Sequence, residues 1–258
     1  MTFIDTHAHL YLPDFAKDAQ EVMSRAEENE VRYIYLPNID HQSIDAMLEW
    51  ELKFPNCMAT MGLHPCSVKK DFEKELYIVE DWLKQRKFAA IGEMGIDLYW
   101  DTTFFEQQKE AFKIQAHWAK EYSLPLIIHC RNSTDEAIAL VEALQSKEKP
   151  LSGVFHCFSG SIEQAKKIID LGFFLGIGGV VTFKKSALEE VLQNIGLENL
   201  VLETDSPYLA PTPHRGKRNE SSYLPLIAEK IASIYQISIE KVAQETTANA
   251  KKLFSRTS

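Results

Sequence analysis

The sequence is short of several things, and each shortage excludes a class of protein. Only four cysteines, Cys57, Cys66, Cys130 and Cys157, occur in 258 residues, and no two form a Cys-x-x-Cys pair. That argues against a structural zinc ribbon, which needs closely spaced thiolates. Four scattered thiols in a chain of this size are expected to stay reduced. Eleven glycines and ten prolines are too few for a fibrous or low-complexity protein. No apolar run approaches the roughly 18 residues of a membrane span. The N-terminal Met1-Thr2-Phe3-Ile4-Asp5-Thr6-His7 has no basic stretch leading into an apolar one. The expectation is a cytoplasmic protein with no membrane association. Positive charge is also in deficit: 28 Lys and Arg stand against 37 Asp and Glu, a net charge of −9. Such a chain does not coat nucleic acid through bulk charge. An enzyme that touches one phosphate remains compatible with it.

Apolar residues, by contrast, are plentiful at 45%, enough to build a core and exclude a disordered chain. They fall into an alternation of two kinds of segment. Short β-branched runs lie at Phe3–Asp5, Tyr33–Leu36, Met58–Gly62, Ala89–Glu93, Leu126–Cys130, Gly153–Cys157, Phe173–Ile177 and Leu200–Thr204. Longer segments with helical periodicity follow, as at Asp14–Asn29, Asp71–Lys87, Phe104–Tyr122, Thr134–Ser146 and Ser161–Leu171. The spacing between runs is that of a βα unit. Eight units in series predict an α/β protein of the (β/α)8 TIM-barrel type, one domain over residues 1–258. Two helical segments follow the eighth strand, at about Ser222–Tyr235 and Ser238–Phe254. The second predicts an extra C-terminal helix.

A barrel places its chemistry at the C-terminal ends of the strands, and polar residues recur there. Strand 1 runs into His7-Ala8-His9, whose imidazoles share a face on an extended chain. Strand 4 ends in Glu93, strand 5 in His129, strand 6 in His156, and strand 8 in Glu203-Thr204-Asp205. A lone His-x-His reads equally well as two polar residues at a strand end. Four imidazoles and three acids at one barrel mouth are costly to desolvate without a cation. Six N and O ligands exceed the roughly three of a single catalytic zinc-like site, and suit two ions with a carboxylate between them. Which residue serves which ion is open at this level.

The blocks carrying these residues resemble the TatD family of metal-dependent hydrolases, within the wider amidohydrolase-like barrels. They are Phe3-Ile4-Asp5-Thr6-His7-Ala8-His9-Leu10, Gly62-Leu63-His64-Pro65, Ile91-Gly92-Glu93-Met94-Gly95-Ile96-Asp97 and Ile127-Ile128-His129-Cys130-Arg131. Phe155-His156-Cys157-Phe158-Ser159-Gly160, Leu202-Glu203-Thr204-Asp205-Ser206-Pro207-Tyr208-Leu209 and Pro213-His214-Arg215-Gly216-Lys217-Arg218-Asn219-Glu220 complete the set. Two positions depart from the family pattern: Ser221 stands where Pro is usual, and Cys66 where a second His is frequent. The resemblance implies that His7, His9 and Asp205 hold one divalent ion, that His129 and His156 hold a second, and that Glu93 bridges. It implies Mg²⁺ or Mn²⁺ in assay, while four imidazoles also permit Zn²⁺. Asp205 reads as general base and Glu203 as a residue fixing an imidazole or Asp205, so Asp205, Glu93 and Glu203 form the expected catalytic group.

Around them, Arg131, Lys184, Arg215, His64 and His214 are expected to contact substrate. The run Pro211–Arg218 carries Arg215, Lys217 and Arg218 with no acid, as a local phosphate site would. Lys185, His41 and His117 read as solvated or packing residues. Cys130 and Cys157 each follow a ligand His, and strand alternation turns both away from the interior, which argues against a thiolate nucleophile. Tyr99-Trp100 could stack a base but reads first as cover for the barrel mouth. The resemblance implies a metal-dependent phosphodiesterase on DNA, 3′→5′ on single strands, with DNA ends or oligonucleotides as partners and no obligate protein partner. A binuclear amidohydrolase acting on a small amide, lactone or ester is the alternative, and a non-catalytic metal-binding barrel the third reading.

Overall fold

The structure is a computed structural model and describes residues 1–254. The last four residues of the expected domain lie outside the described residues. Eight short strands alternate with helices. The strands are β1 (Phe3–Asp5), β2 (Val31–Pro37), β3 (Cys57–Thr60), β4 (Ile91–Asp97), β5 (Leu126–Arg131), β6 (Gly153–Phe155), β7 (Phe173–Ile177) and β8 (Leu200–Leu202). The helices are α1 (Ala19–Glu28), α2 (Ile44–Lys53), α3 (Phe72–Gln85), α4 (Phe105–Tyr122), α5 (Thr134–Leu144), α6 (Ile162–Asp170), α7 (Leu188–Gln193), α8 (Leu224–Tyr235) and α9 (Ile239–Phe254).

Neighbouring strands pair in parallel, in sequence order, in two ladders: β1–β3 and β4–β8. Single parallel bridges, Met61 with Ile91 and Ala8 with Ser206, join the ladders at both seams. Backbone hydrogen bonds reinforce each seam: Met61 N–H to Ala90 O at 3.1 Å, and Thr6 N–H to Leu202 O at 3.0 Å. The strands therefore run around a (β/α)8 barrel, and α9 is the helix beyond the eight units. Burial explains the strand sequences. All seven residues of β4 are buried, as a strand covered on both faces requires. Helices bury one stripe only: α1 hides Val22, Met23 and Ala26 and exposes the rest to varying degrees. At α6, Ser161 and Gln164 form a reciprocal capping box.

The main core fills the space between strands and helices. A second apolar cluster lies inside the barrel: Ile4, Tyr35, Ala90, Ile127, Val154 and Val201 meet Ala250, Leu253 and Phe254 of α9. The Phe254 ring stacks on Tyr35 at 3.5 Å between centroids. α9 thus plugs the end of the barrel opposite the strand termini. Two residues on from Ile127, Val154 and Val201, the same inward rows carry His129, His156 and Glu203. The apolar plug and the polar mouth are successive layers of one interior.

Three strands stop earlier than their apolar runs suggest. β3 ends at Thr60, β6 at Phe155 and β8 at Leu202. At β8 the reason is visible: the backbone N–H of Thr204 donates to the Asp5 carboxylate at 3.0 Å instead of to a neighbouring strand. Asp205 then adopts a left-handed backbone, φ 57°, and turns the chain across the mouth.

Candidate metal centre

Glu93 lies at the middle of the mouth, almost fully buried, and its two oxygens face different imidazoles. Oε2 is 3.2 Å from His7 Nε2 and 3.3 Å from His9 Nε2. Oε1 is 2.8 Å from His129 Nδ1, 2.9 Å from His156 Nε2 and 3.3 Å from His64 Nε2. Asp205 closes the first side, with Oδ1 at 3.7 Å from His7 Nε2 and 3.8 Å from His9 Nε2. The structure therefore brings together His7, His9, Glu93, His129, His156 and Asp205, and adds His64, which was expected only as a substrate contact. Three overlapping groups of potential ligand atoms result: His7, His9 and Asp205; His7, Glu93 and His156; and His64, Glu93 and His129.

These spacings fit a cation better than a hydrogen-bond network. Ligand atoms about 2.1 Å from a shared ion stand roughly 3–3.5 Å from one another. His7 Nε2 and His9 Nε2 are 3.1 Å apart, and His129 Nδ1 and His156 Nε2 3.3 Å apart. The outward nitrogens decide which lone pairs face inward. The Tyr11 hydroxyl gives its one proton to the Pro37 carbonyl, so at 2.9 Å it can only accept from His9 Nδ1. His9 Nε2 is then a free lone pair. The Asp97 Oδ2 carboxylate oxygen accepts from His129 Nε2 at 2.9 Å, which frees Nδ1 in the same way. His64 is the opposite case. Its Nδ1 accepts the Cys66 backbone N–H at 3.0 Å, so in the neutral ring the proton sits on Nε2, facing Glu93. His64 is built as a donor.

Electrostatics follow from this crowding. Burial raises the Glu93 carboxyl, but His64, His156, His7 and His129 outweigh it and hold the group well below its ordinary range. Burial and the neighbouring His156 keep His7 well below the usual imidazole range; their rings stack at 3.9 Å. Asp205 is pushed up to about 6, chiefly by burial, with His156 and His9 acting against the shift. Burial opposes ionisation of Asp97 too, yet the His129 bond and the backbone N–H groups of Trp100 and Tyr99 hold it low.

Glu203 is fully buried behind His156. Its Oε1 accepts the Cys157 backbone N–H and lies 3.5 Å from His156 Nδ1. Gly176 makes room for it: a Cβ there would meet Glu203 Oε2 at 2.3 Å. Two further residues at the centre, Asp97 and Tyr11, had no expected role. Their signal was in the sequence, since Glu93-x-Gly95-x-Asp97 and His7-x-His9-x-Tyr11 continue the alternation of their strands.

Other expectations need correction. Arg218 is no phosphate ligand: it forms a two-pronged pair with Asp18 at 2.6 and 2.7 Å, over the Phe15 ring. Ser221 accounts for its own departure from the family pattern by donating to Asp5 Oδ2 at 2.7 Å. His214 is stacked on Tyr223, with ring centroids 4.1 Å apart. Arg215 and Lys184 instead flank a surface cavity of about 460 Å³ beside Phe183. Cys157 lies past the end of β6 with a left-handed backbone, φ 48°, so strand alternation does not govern it. Its thiol feels Asp205, Glu203 and Glu93, and burial plus those charges keep it protonated. Cys130 stays in β5 and packs against the outer core. Tyr99 and Trp100 are exposed rather than packed.

Over residues 4–255 the chain matches the family model described as TatD related DNase. The metal-dependent hydrolase YabD of Bacillus subtilis is 38% identical over 251 residues, covering 97% of this chain and 98% of that protein. A Salmonella typhimurium protein named 3′-5′ ssDNA/RNA exonuclease TatD is 32% identical, covering 97% and 98%. The crystal structure of YjjV, a TatD homolog from Escherichia coli K12, superposes with a TM-score of 0.91 at 30% identity, covering 98% of each chain.

Proposed function

The chain belongs to the family of TatD related DNases, and from that premise we propose that it is a metal-dependent phosphodiesterase trimming single-stranded DNA from the 3′ end. The observation that carries the reading is Glu93, whose two oxygens face two separate sets of imidazoles. His7, His9 and Asp205 would hold one divalent ion, His129 and His156 another, with Glu93 shared. Such ions supply Lewis-acid stabilisation of a phosphoryl oxygen and lower the pKa of an attacking water.

The chain's own residues supply the rest. Asp205, turned across the mouth by its left-handed backbone and set beside His7 and His9, is placed to take a proton from the attacking water. Glu203 steadies His156 from behind. His64 donates from Nε2 to an oxygen of the scissile phosphate, a role consistent with its fixed tautomer. Arg131 stands beside the mouth, two residues past His129, and Arg215 lies farther out over Phe183; both guanidinium groups stack on aromatic rings rather than pairing with a carboxylate among the described residues. They suit a phosphate.

The test is hydrolysis of 5′-labelled single-stranded DNA by wild type and Asp205→Ala, with Mg²⁺, Mn²⁺ or Zn²⁺ added, beside a panel of amides and lactones. Stepwise shortening from the 3′ end, lost in the variant, is the expected result. Turnover of amides or lactones with the DNA left intact overturns the reading in favour of a binuclear amidohydrolase. Binding of metal with no hydrolysis of either class leaves only a metal-binding barrel.

A further inference from the structure

Two large aromatic rings at the mouth stand more than half open to solvent. Tyr99 and Trp100 follow β4 and are exposed by 53% and 67%. Their rings meet edge to face, 4.9 Å between centroids. They are nevertheless held in place. The backbone N–H groups of Tyr99 and Trp100 both donate to Asp97 Oδ1, at 2.9 and 3.0 Å. The other oxygen of that carboxylate holds His129 Nε2. One side chain therefore fixes the aromatic pair relative to the centre.

Arg131 completes the arrangement. It lies two residues beyond His129 on β5, on the same side of the strand. Its guanidinium sits 3.9 Å from the Tyr99 ring centroid and 5.3 Å from that of Trp100. Arginines elsewhere in the chain, Arg25 and Arg218, are neutralised by Asp18 and Glu220. Among the described residues Arg131 has no ion pair. An uncompensated, planar cation laid against exposed rings suits a ligand that is flat on one part and anionic on the next.

We propose that Tyr99, Trp100 and Arg131 form a stacking platform for one unpaired base of the substrate strand, with the guanidinium free to reach an adjoining phosphate. The proposal rests on the nuclease reading and extends it to selectivity. A base within a duplex shows no open face, whereas an unpaired one does, so the platform favours single strands at any sequence. Tyr99, Trp100 and Arg131 are binding residues, not catalytic ones. Their link through Asp97 to His129 sets the distance between the held base and the cleaved phosphate.

The experiment compares wild type, Trp100→Ala and Trp100→Phe on a single-stranded oligonucleotide and on the same strand with abasic residues at its 3′ end. Trp100→Ala raises KM about 10- to 100-fold on the natural strand, which at 1.4 kcal/mol per tenfold lies within the stacking range. Trp100→Phe restores most of the loss. On the abasic strand wild type and Trp100→Ala differ by less than about twofold. Equal losses on both strands, or none on either, overturn the platform while leaving the nuclease reading intact. Should no cleavage occur at all, anisotropy of the labelled strand decides: weaker binding by Trp100→Ala supports the platform, and equal or absent binding overturns it.

Discussion

At His9 and His129 the outward ring nitrogen carries the proton and the inward one offers a lone pair; at His64 the order is reversed. The neighbours responsible are Tyr11, Asp97 and the Cys66 backbone. This difference separates holding a metal from donating a proton, and it can be measured. Asp97→Ala, which leaves the His129 tautomer unfixed, weakens divalent metal binding about 10- to 100-fold by chelator competition. His64→Ala leaves metal content unchanged and lowers kcat by about 10²- to 10³-fold, as loss of a donor to a developing charge does. Metal loss in His64→Ala would make His64 a ligand instead. Much at this scale was legible in the chain. Six converging side chains stand at strand ends, where barrel geometry puts chemistry. His64 was legible as a substrate contact, but its place against Glu93 and its fixed tautomer were not, because both depend on a turn four residues past β3 that no periodicity announces.

Among elements, the segment after β8 does the most organising. Asn219 donates to the carbonyls of Thr204 and Tyr208, both at 2.7 Å, and so shapes the turn that presents Asp205. Arg218 and Arg25 then tie this segment to α1 through Asp18 and Glu220. One of the three basic residues in the run that resembled a phosphate site, Arg218, is consumed by this anchoring, because an acid distant in sequence, Asp18, supplies the partner. Composition of a local window cannot show that. The hydrogen bond from Arg218 holds the Asp18 carboxyl at about 2, against 3.8 ordinarily. A depressed carboxylate stabilises the fold above its unfolded pKa and loses that contribution as pH falls through the folded one. Asp18→Asn therefore has a lower Tm than wild type at neutral pH. The gap closes between about pH 4 and pH 2; a gap constant over that range would contradict the assignment.

For the molecule as a whole, the barrel separates stability from chemistry along its axis. The apolar layer closed by α9 lies at one end and the imidazole cluster at the other. The eight-unit alternation was readable from apolar runs, and so was the added helix. That α9 plugs the barrel interior was not, because an amphipathic helix does not state which surface it covers. Phe254, 4% exposed and stacked on Tyr35, is the key contact. Phe254→Ala costs about 3–5 kcal/mol in denaturant unfolding and leaves metal affinity unchanged, since the plug and the ligand groups occupy different layers of the barrel interior. The net charge of −9 acquires a different meaning at this scale. Part of the acidity stands at one mouth, where divalent cations would invert its sign for an arriving phosphate.

The most direct test of the shared-carboxylate centre is the number of divalent ions bound per chain, by elemental analysis of metal-loaded protein, for wild type and Glu93→Ala. Two ions per wild-type chain, with both weakened together in Glu93→Ala, is the predicted result. A single ion in wild type, or loss of only one in the variant, would contradict it.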